Sequence, residues 1–203
     1  MKELSKILLS KKEVQLLAED SFFHHKKNIT EKIYHQLAAC VTAIQEAPCF
    51  QKISYPPETD LVRGKITKGE NYLGLPFIIL DFPRLFSSEK IFAFRTMIWW
   101  GQHLSCTLVL DGSESQLAGK KLRENFSFLK KKETFLCINK SPWLHHFGTE
   151  NFISLKSLQQ KDADEFQLNQ NFFKVARKIP VSSVNNMENF SAESFEIFSR
   201  LLL

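Results

Sequence analysis

The stretch IFAFRTMIWWGQHLSCTLVL, residues 91–110, constrains this chain more than any other. Two runs of aromatic, aliphatic and β-branched residues flank Gly101-Gln102. That pattern predicts a β-hairpin closed by a two-residue type II′ turn, which needs glycine at the first central position, where φ is positive. The rival is a helix capped by Ser87 or Ser88; a short turn at Ser88–Lys90 followed by strand fits the residue types better. This turn pairs Trp100 with His103, Ile98 with Ser105, Thr96 with Thr107 and Phe94 with Val109. Alternation then places Trp99, Met97, Ala93 and Ile91 on one face with Leu104, Cys106, Leu108 and Leu110. That face is apolar except for Arg95, opposite Leu108. The other carries Trp100, Ile98, Thr96, Phe94 and Phe92 with His103, Ser105, Thr107 and Val109. It suits a cavity wall, or a surface covered by a helix or a partner. A slip of one residue would exchange the faces.

The chain has 203 residues, enough for one domain that needs no disulfide or metal staple, and 19 of them are phenylalanine, which points to a thick aromatic core. The formal net charge is +5. Between Lys120 and Lys132 lie Lys120, Lys121, Arg123, Lys130, Lys131 and Lys132 against Glu124 alone, and this segment equals the whole excess. One basic segment is a local patch, so nucleic-acid binding is disfavoured. Cys40, Cys49, Cys106 and Cys137 show no metal-ligand spacing and read as free thiols. The Ile7-Leu8-Leu9 run is too short for a signal peptide, and no run is long enough to span a membrane. The expected setting is the cytoplasm.

Along the chain, Ser10-Lys-Lys-Glu13 forms a capping box. Val14, Leu17, Ala18 and Phe22 follow at helical spacing, with His24 to Lys27 closing that helix. Asn28 opens a second helix, whose stripe is Ile33, Leu37, Cys40, Val41 and Ile44 and which ends at Pro48. The pair predicts an αα-hairpin. Gly64–Lys68 reads as a short strand, Lys68–Pro76 as a loop, and Phe77–Phe82 as a central strand. A helix is predicted over 113–129, with Ala118, Leu122, Phe126 and Leu129 inward. Strands follow at 133–139 and 151–155. The loop 141–148 offers Trp143 as an aromatic plug. Residues 162–179 fit helix or strand; a loop or short helix, then a strand over 172–178, is preferred because Pro180 stops a helix. Ser191 is placed to cap a last helix, stapled by Phe190 and Phe195 and presenting Phe198 and Leu202.

Four constellations bear on chemistry. His103 with His145 or His146 would make a metal site of the oxygenase type if the 141–148 loop folds over the hairpin. Arg95 needs a partner if buried, with Asp81 or Glu70 the nearest; Asp81, Arg84 and Arg95 could instead grip an anionic ligand. The loop Lys68–Gly74 matches no nucleotide fingerprint, so no cofactor is expected. The basic 120–132 helix could touch nucleic acid but reads more simply as a solvated face.

The run KGENYLGLPFIILDFPRLFSSEKIFAFRTMIWWG, residues 68–101, resembles a family of uncharacterised bacterial proteins of the Bacteroidetes kind. The resemblance implies a bacterial intracellular protein and carries over no catalytic or binding residue.

Together these readings predict an α+β domain: a mainly antiparallel sheet with an N-terminal helical hairpin and a C-terminal helix packed on it. The expected function is non-enzymatic binding of a small molecule or a protein. Trp100, Phe94, His103 and Thr107 would supply the surface, and Arg84 or Arg95, with Asp81, the polar anchor. The alternatives are a metal-dependent enzyme built on His103 and a weak nucleic-acid binder.

Overall fold

Residues 7–88, 90–168 and 170–203 are described in this computed structural model, except for the side chains at 164, 167 and 168. The reading of the first six residues, of Glu89 in the turn after Ser88, and of the Leu168 side chain falls outside that set. The fold is α+β, with a seven-stranded antiparallel sheet, an N-terminal helical hairpin and a C-terminal helix. The chain separates into two compact units, one ending at Gln36 and the other running from Leu37 to Leu203.

The first unit holds α1 (Lys11–Ala18) and the start of α2 (Ser21–Glu46). Ser10 caps α1 by the expected reciprocal pair, its hydroxyl accepting from the Glu13 amide while the Glu13 carboxylate accepts from the Ser10 amide. The break comes at Glu19-Asp20, so His24–Lys27 lie inside α2 and Asn28 does not open a helix. An Asn in a helix interior costs well under ~1 kcal/mol, and no Gly or Pro stands between Ser21 and Pro48 to stop the helix. No side chain of α1 is buried, and Leu8, Leu9, Val14, Leu16, Leu17, Phe22 and Phe23 are all exposed.

In the second unit the strands are β1 (Lys65–Tyr72), β2 (Leu75–Phe86), β3 (Ile91–Trp99), β4 (His103–Asp111), β5 (Phe135–Cys137), β6 (Phe152–Ser154) and β7 (Phe172–Pro180). Their spatial order is β1-β2-β3-β4-β7-β5-β6. The helices are α3 (Gly112–Lys131), α4 (Gln160–Leu168) and α5 (Met187–Ser199). The stretch read as the loop 68–76 is strand at both ends. It turns on Leu73-Gly74, both with positive φ (51° and 84°), the requirement of a type I′ hairpin turn. The Asn71 side chain accepts from the Gly74 amide and holds that turn.

The 91–110 hairpin forms, with a different register. Gly101 (φ 69°) is the second central residue of a turn from Trp99 to Gln102, closed by the Gln102 amide donating to the Trp99 carbonyl at 3.0 Å. Trp99 therefore faces His103, and Arg95 faces Thr107. One extra residue in the loop turns β4 over relative to β3. Phe92, Phe94, Thr96 and Ile98 now share a face with Leu104, Cys106, Leu108 and Leu110. Arg95, Met97 and Trp99 share the opposite face with His103, Ser105 and Thr107.

The apolar face lies under helices. α5 packs on β4, and α3 packs on β4 and β7 through Ala118, Leu122, Phe126 and Leu129, the stripe expected for it. Phe94 meets Phe195 and Phe198 at 5.3 and 6.3 Å. Cys40, on the part of α2 that belongs to this unit, is wholly buried beside Cys106 and Ser191. Ser191 is not a cap. A 3-10 turn over Val181–Asn186 leads into α5 early, and Ser191 lies inside the helix, bonded to the Thr96 hydroxyl at 2.7 Å. The 160–180 segment resolves as α4 followed by β7, the preferred reading. All four cysteines are free.

Candidate functional site

The polar face of the sheet gathers most of the ionisable residues singled out above. Asp81 on β2 and Arg95 on β3 are cross-strand partners. Arg95 Nε and Nη2 donate to the two carboxylate oxygens at 2.6 and 2.9 Å. Both side chains are about nine-tenths buried, at 11% and 8% exposure, so each is the other's counter-charge in a site with little water. The third nitrogen, Nη1, lies 3.1 Å from His145 Nε2. A guanidinium only donates, so Nε2 is the acceptor and His145 is neutral, with its proton on Nδ1. Burial, then the Arg95 and Lys174 charges, hold the His145 imidazole far below its ordinary pKa.

Loop 138–151 covers this face, and three side chains fasten it. Lys174 on β7, 1% exposed, donates to the Pro142 and Leu144 carbonyls at 2.8 and 2.5 Å and lies over the Phe152 ring. Burial takes its pKa down to about 8. Tyr72 Oη accepts from the His145 and His146 amides at 2.7 and 3.2 Å. With both lone pairs engaged, its proton goes to His146 Nδ1 at 2.9 Å, and His146 Nε2 donates to Glu150 at 2.6 Å. Asn151 is fully buried and donates to the His146 carbonyl. Phe147, not Trp143, is the plug: it stacks on Phe152 at 4.7 Å and meets His103 edge-on at 4.9 Å. Trp143 is half exposed.

The remaining expected site residues part company. His103 is buried between Trp99 and Phe147, and burial, then the Lys178 charge, lower its pKa to about 4. Its Nε2 meets no partner among the described residues. Thr107 is buried on the same face beside Arg95. Phe94 is on the other face, in the helix-covered core, and cannot line a ligand surface with them. Trp100 is in the turn, not on the strand; its amide donates to the Pro76 carbonyl. Arg84 lies beyond the bulge in β2, 3.6 Å from Asp60, an ion-pair distance without a hydrogen bond. Nε2 of His145 is taken up by Arg95, and the two ring nitrogens of His146 by Tyr72 and Glu150; no group of three metal-ligating side chains occurs among the described residues. On the basic segment, Lys121 pairs with Glu124, Lys130 caps the Leu158 carbonyl and Lys132 pairs with Glu193.

A cleft that sequence reasoning missed lies elsewhere in this unit. It has a volume of about 270 Å³ and is lined by Gln45, Phe50, Gln51, Ile53, Tyr55 and Leu61. The end of α2 and a 3-10 turn at Phe50–Lys52 build one wall; the segment from Tyr55 to Leu61, which turns at Pro57-Glu58 with Glu58 at positive φ, builds the other. Phe50 is stacked on Phe82 at 6.0 Å and tilted against Tyr55 at 5.4 Å. Gln45 Nε2 donates to the Leu61 carbonyl at 2.9 Å and bridges the two walls. The Tyr55 hydroxyl is buried and has no hydrogen-bond partner among the described residues. Burial, and then the Cys49 thiol, push its pKa up. The signal in the sequence was the run from Cys49 to Asp60, irregular yet carrying Phe50, Ile53 and Tyr55.

No protein family, no curated protein and no solved structure matches this chain. No described helix is long and apolar enough to cross a membrane.

Proposed function

We propose that the second unit is a non-enzymatic small-molecule-binding module, and that its ligand occupies the Gln45–Leu61 cleft rather than the Trp100 side of the hairpin. The observation that carries this is the cleft itself: a concave site with aromatic, aliphatic and amide walls. Binding sites are concave with a few placed polar groups, and this volume falls just below their usual range. On the polar face of the sheet Asp81 and Arg95 are matched to each other and Lys174 to loop carbonyls, and loop 138–151 lies over them. The test is ligand-observed NMR with a fragment library on the wild-type chain and on Leu61→Trp, which fills the cleft. Hits should lose their saturation transfer in Leu61→Trp and raise the melting temperature of the wild type alone. Hits indifferent to that substitution would place binding elsewhere.

A further inference from the structure

We propose that the first unit is a self-association surface, covered by a second copy of this chain whose α1 runs antiparallel to α1 of the first.

The first unit carries apolar surface that its own chain leaves open. Among the described residues 15 large apolar side chains are exposed, and nine of them fall between Ile7 and Ile29. Along α2 the buried stripe of Ile33, Leu37, Cys40 and Ile44 runs back at helical spacing to Ile29 and Phe22, which are 43% and 56% exposed. α1 has eight residues and buries none of them. An isolated helix shorter than ~12–15 residues is marginal in water, and packing of an apolar face supplies most of what holds a short one. The cover that α1 needs therefore comes from outside the chain.

The surface has the size of a dimer contact. At roughly 100 Å² apiece, nine half-exposed apolar side chains present on the order of 900 Å², against ~800 Å² per partner in a standard stable interface.

Charge selects the occupant. Between Ile7 and Ile29, Lys11, Lys12, Lys26 and Lys27 stand against Glu13, Glu19 and Asp20. So near a balance gives an anionic membrane little to attract. The signs are instead separated along α1. Lys11 and Lys12 open the helix, Glu19 and Asp20 follow its end, and all four are exposed. Glu19 accepts from the Ser21 hydroxyl and Asp20 lies 3.9 Å from His24, and both carboxylates still face water. Within one copy this order does not serve α1, because it sets lysines at the positive end of the helix dipole and a carboxylate at the carbonyl end. A matching surface must carry the two signs in reverse order. An antiparallel α1 does so: its Lys11-Lys12 comes beside Glu19-Asp20, and two-fold symmetry repeats the contact.

Sedimentation velocity of the full chain from micromolar to millimolar concentration is the test. Wild type should pass from the 23.6 kDa chain to twice that mass. Leu17→Asp, at a side chain 72% exposed, should weaken self-association at least about tenfold, and at dilution it should melt with the wild type. The double variants Lys11→Glu/Lys12→Glu and Glu19→Lys/Asp20→Lys should each self-associate about tenfold more weakly, and an equimolar mixture of the two should recover the wild-type affinity. Both pairs of changes suit the α1 dipole better than the native residues, so the loss they cause is not a loss of that helix. A wild type that stays monomeric overturns the proposal. So does a dimer indifferent to Leu17→Asp, or a mixture of the charge-reversed variants that fails to associate. A monomer that pellets with phosphatidylglycerol vesicles makes a lipid surface the occupant and overturns it too.

Discussion

Phe94 and Arg95 are neighbours in the chain and meet opposite surroundings across one sheet. Phe94 enters a continuous apolar layer shared with Phe92, Ile98, Leu104, Leu108, Phe195 and Phe198, all at most 2% exposed. Arg95 enters a layer whose apolar parts are two separate clusters. One is Ile79, Met97 and Trp99 with Tyr72 and Phe77; the other is Cys137, Phe152, Phe172 and Ala176 with Phe135 and Phe147. Arg95 and Asp81 sit on this face too, as does Lys174. The helix-covered face is thus held by burial, which is non-directional and tolerates repacking. The loop-covered face depends on directional bonds among groups that are costly when unpaired. Side chains of equal burial should therefore respond differently to substitution, pH and loop release.

The largest difference is expected at the ion pair. Arg95→Met leaves Asp81 as an uncompensated buried carboxylate and should cost about 3–5 kcal/mol of unfolding free energy by chemical denaturation. Adding Asp81→Leu removes the orphaned charge and should recover most of that loss, in contrast to Phe195→Ala, where the cavity cost stays until volume is restored. A loss under ~1 kcal/mol for Arg95→Met would mean that this face is not held by its charges.

The second expectation concerns pH. His103 has a folded pKa of about 4 against an ordinary 6.5, so it stays neutral in the fold while the unfolded chain takes up a proton. Between pH 6.5 and 4 the unfolded state binds more protons, so stability rises with pH in that window and falls on acidification. The part of that window between pH 6.5 and 5 corresponds to about 2 kcal/mol lost on going from pH 7 to 5. His145 shifts in the same direction and extends the fall to lower pH. Lys174 acts in an alkaline window: with its folded pKa at about 8, stability should climb from pH 8 toward 10.5 as the unfolded chain alone keeps its proton. His103→Phe should flatten the acid limb measured by urea unfolding at successive pH values. Equal slopes for variant and wild type would remove His103 from the account.

Much of this contrast was legible in the residues, and the part misread had left a clue. The helices at 113–129 and the C-terminus, the strand at 172–178 and the hairpin all follow from periodicity and turn chemistry. The register did not, because Gly101 satisfies a positive φ at either central position of the turn, and that choice moves every β4 side chain to the other face. Arg95 was the clue: a guanidinium among leucines signals a pattern one residue out of step. The Asp81 partner was readable from the cost of burying Arg95. Phe147 and Tyr72 were not, since their roles come from a loop that crosses the sheet more than sixty residues after Tyr72. The cleft was hidden in another way: one wall is a run without periodicity, Cys49 to Asp60, whose Phe50, Ile53 and Tyr55 were its only sign.

The smallest expected effect tests the loop alone. Tyr72→Phe removes the hydroxyl that accepts two loop amides and passes a hydrogen bond through His146 to Glu150, but it keeps the ring against Trp99 at 5.1 Å. The global cost should be near 1 kcal/mol, one net hydrogen bond with partial rescue by water at this partly buried site. The local cost should be larger in proportion. The His145 and His146 amides lose their acceptor, so their hydrogen exchange should accelerate about tenfold while amides at the centre of β3 and β4 keep the wild-type rate. Exchange that rises equally across β3, β4 and the loop would mean that the loop and the sheet open together. The loop-covered face would then be a single cooperative body like the helix-covered one, and the contrast drawn from Phe94 and Arg95 would be one of composition only.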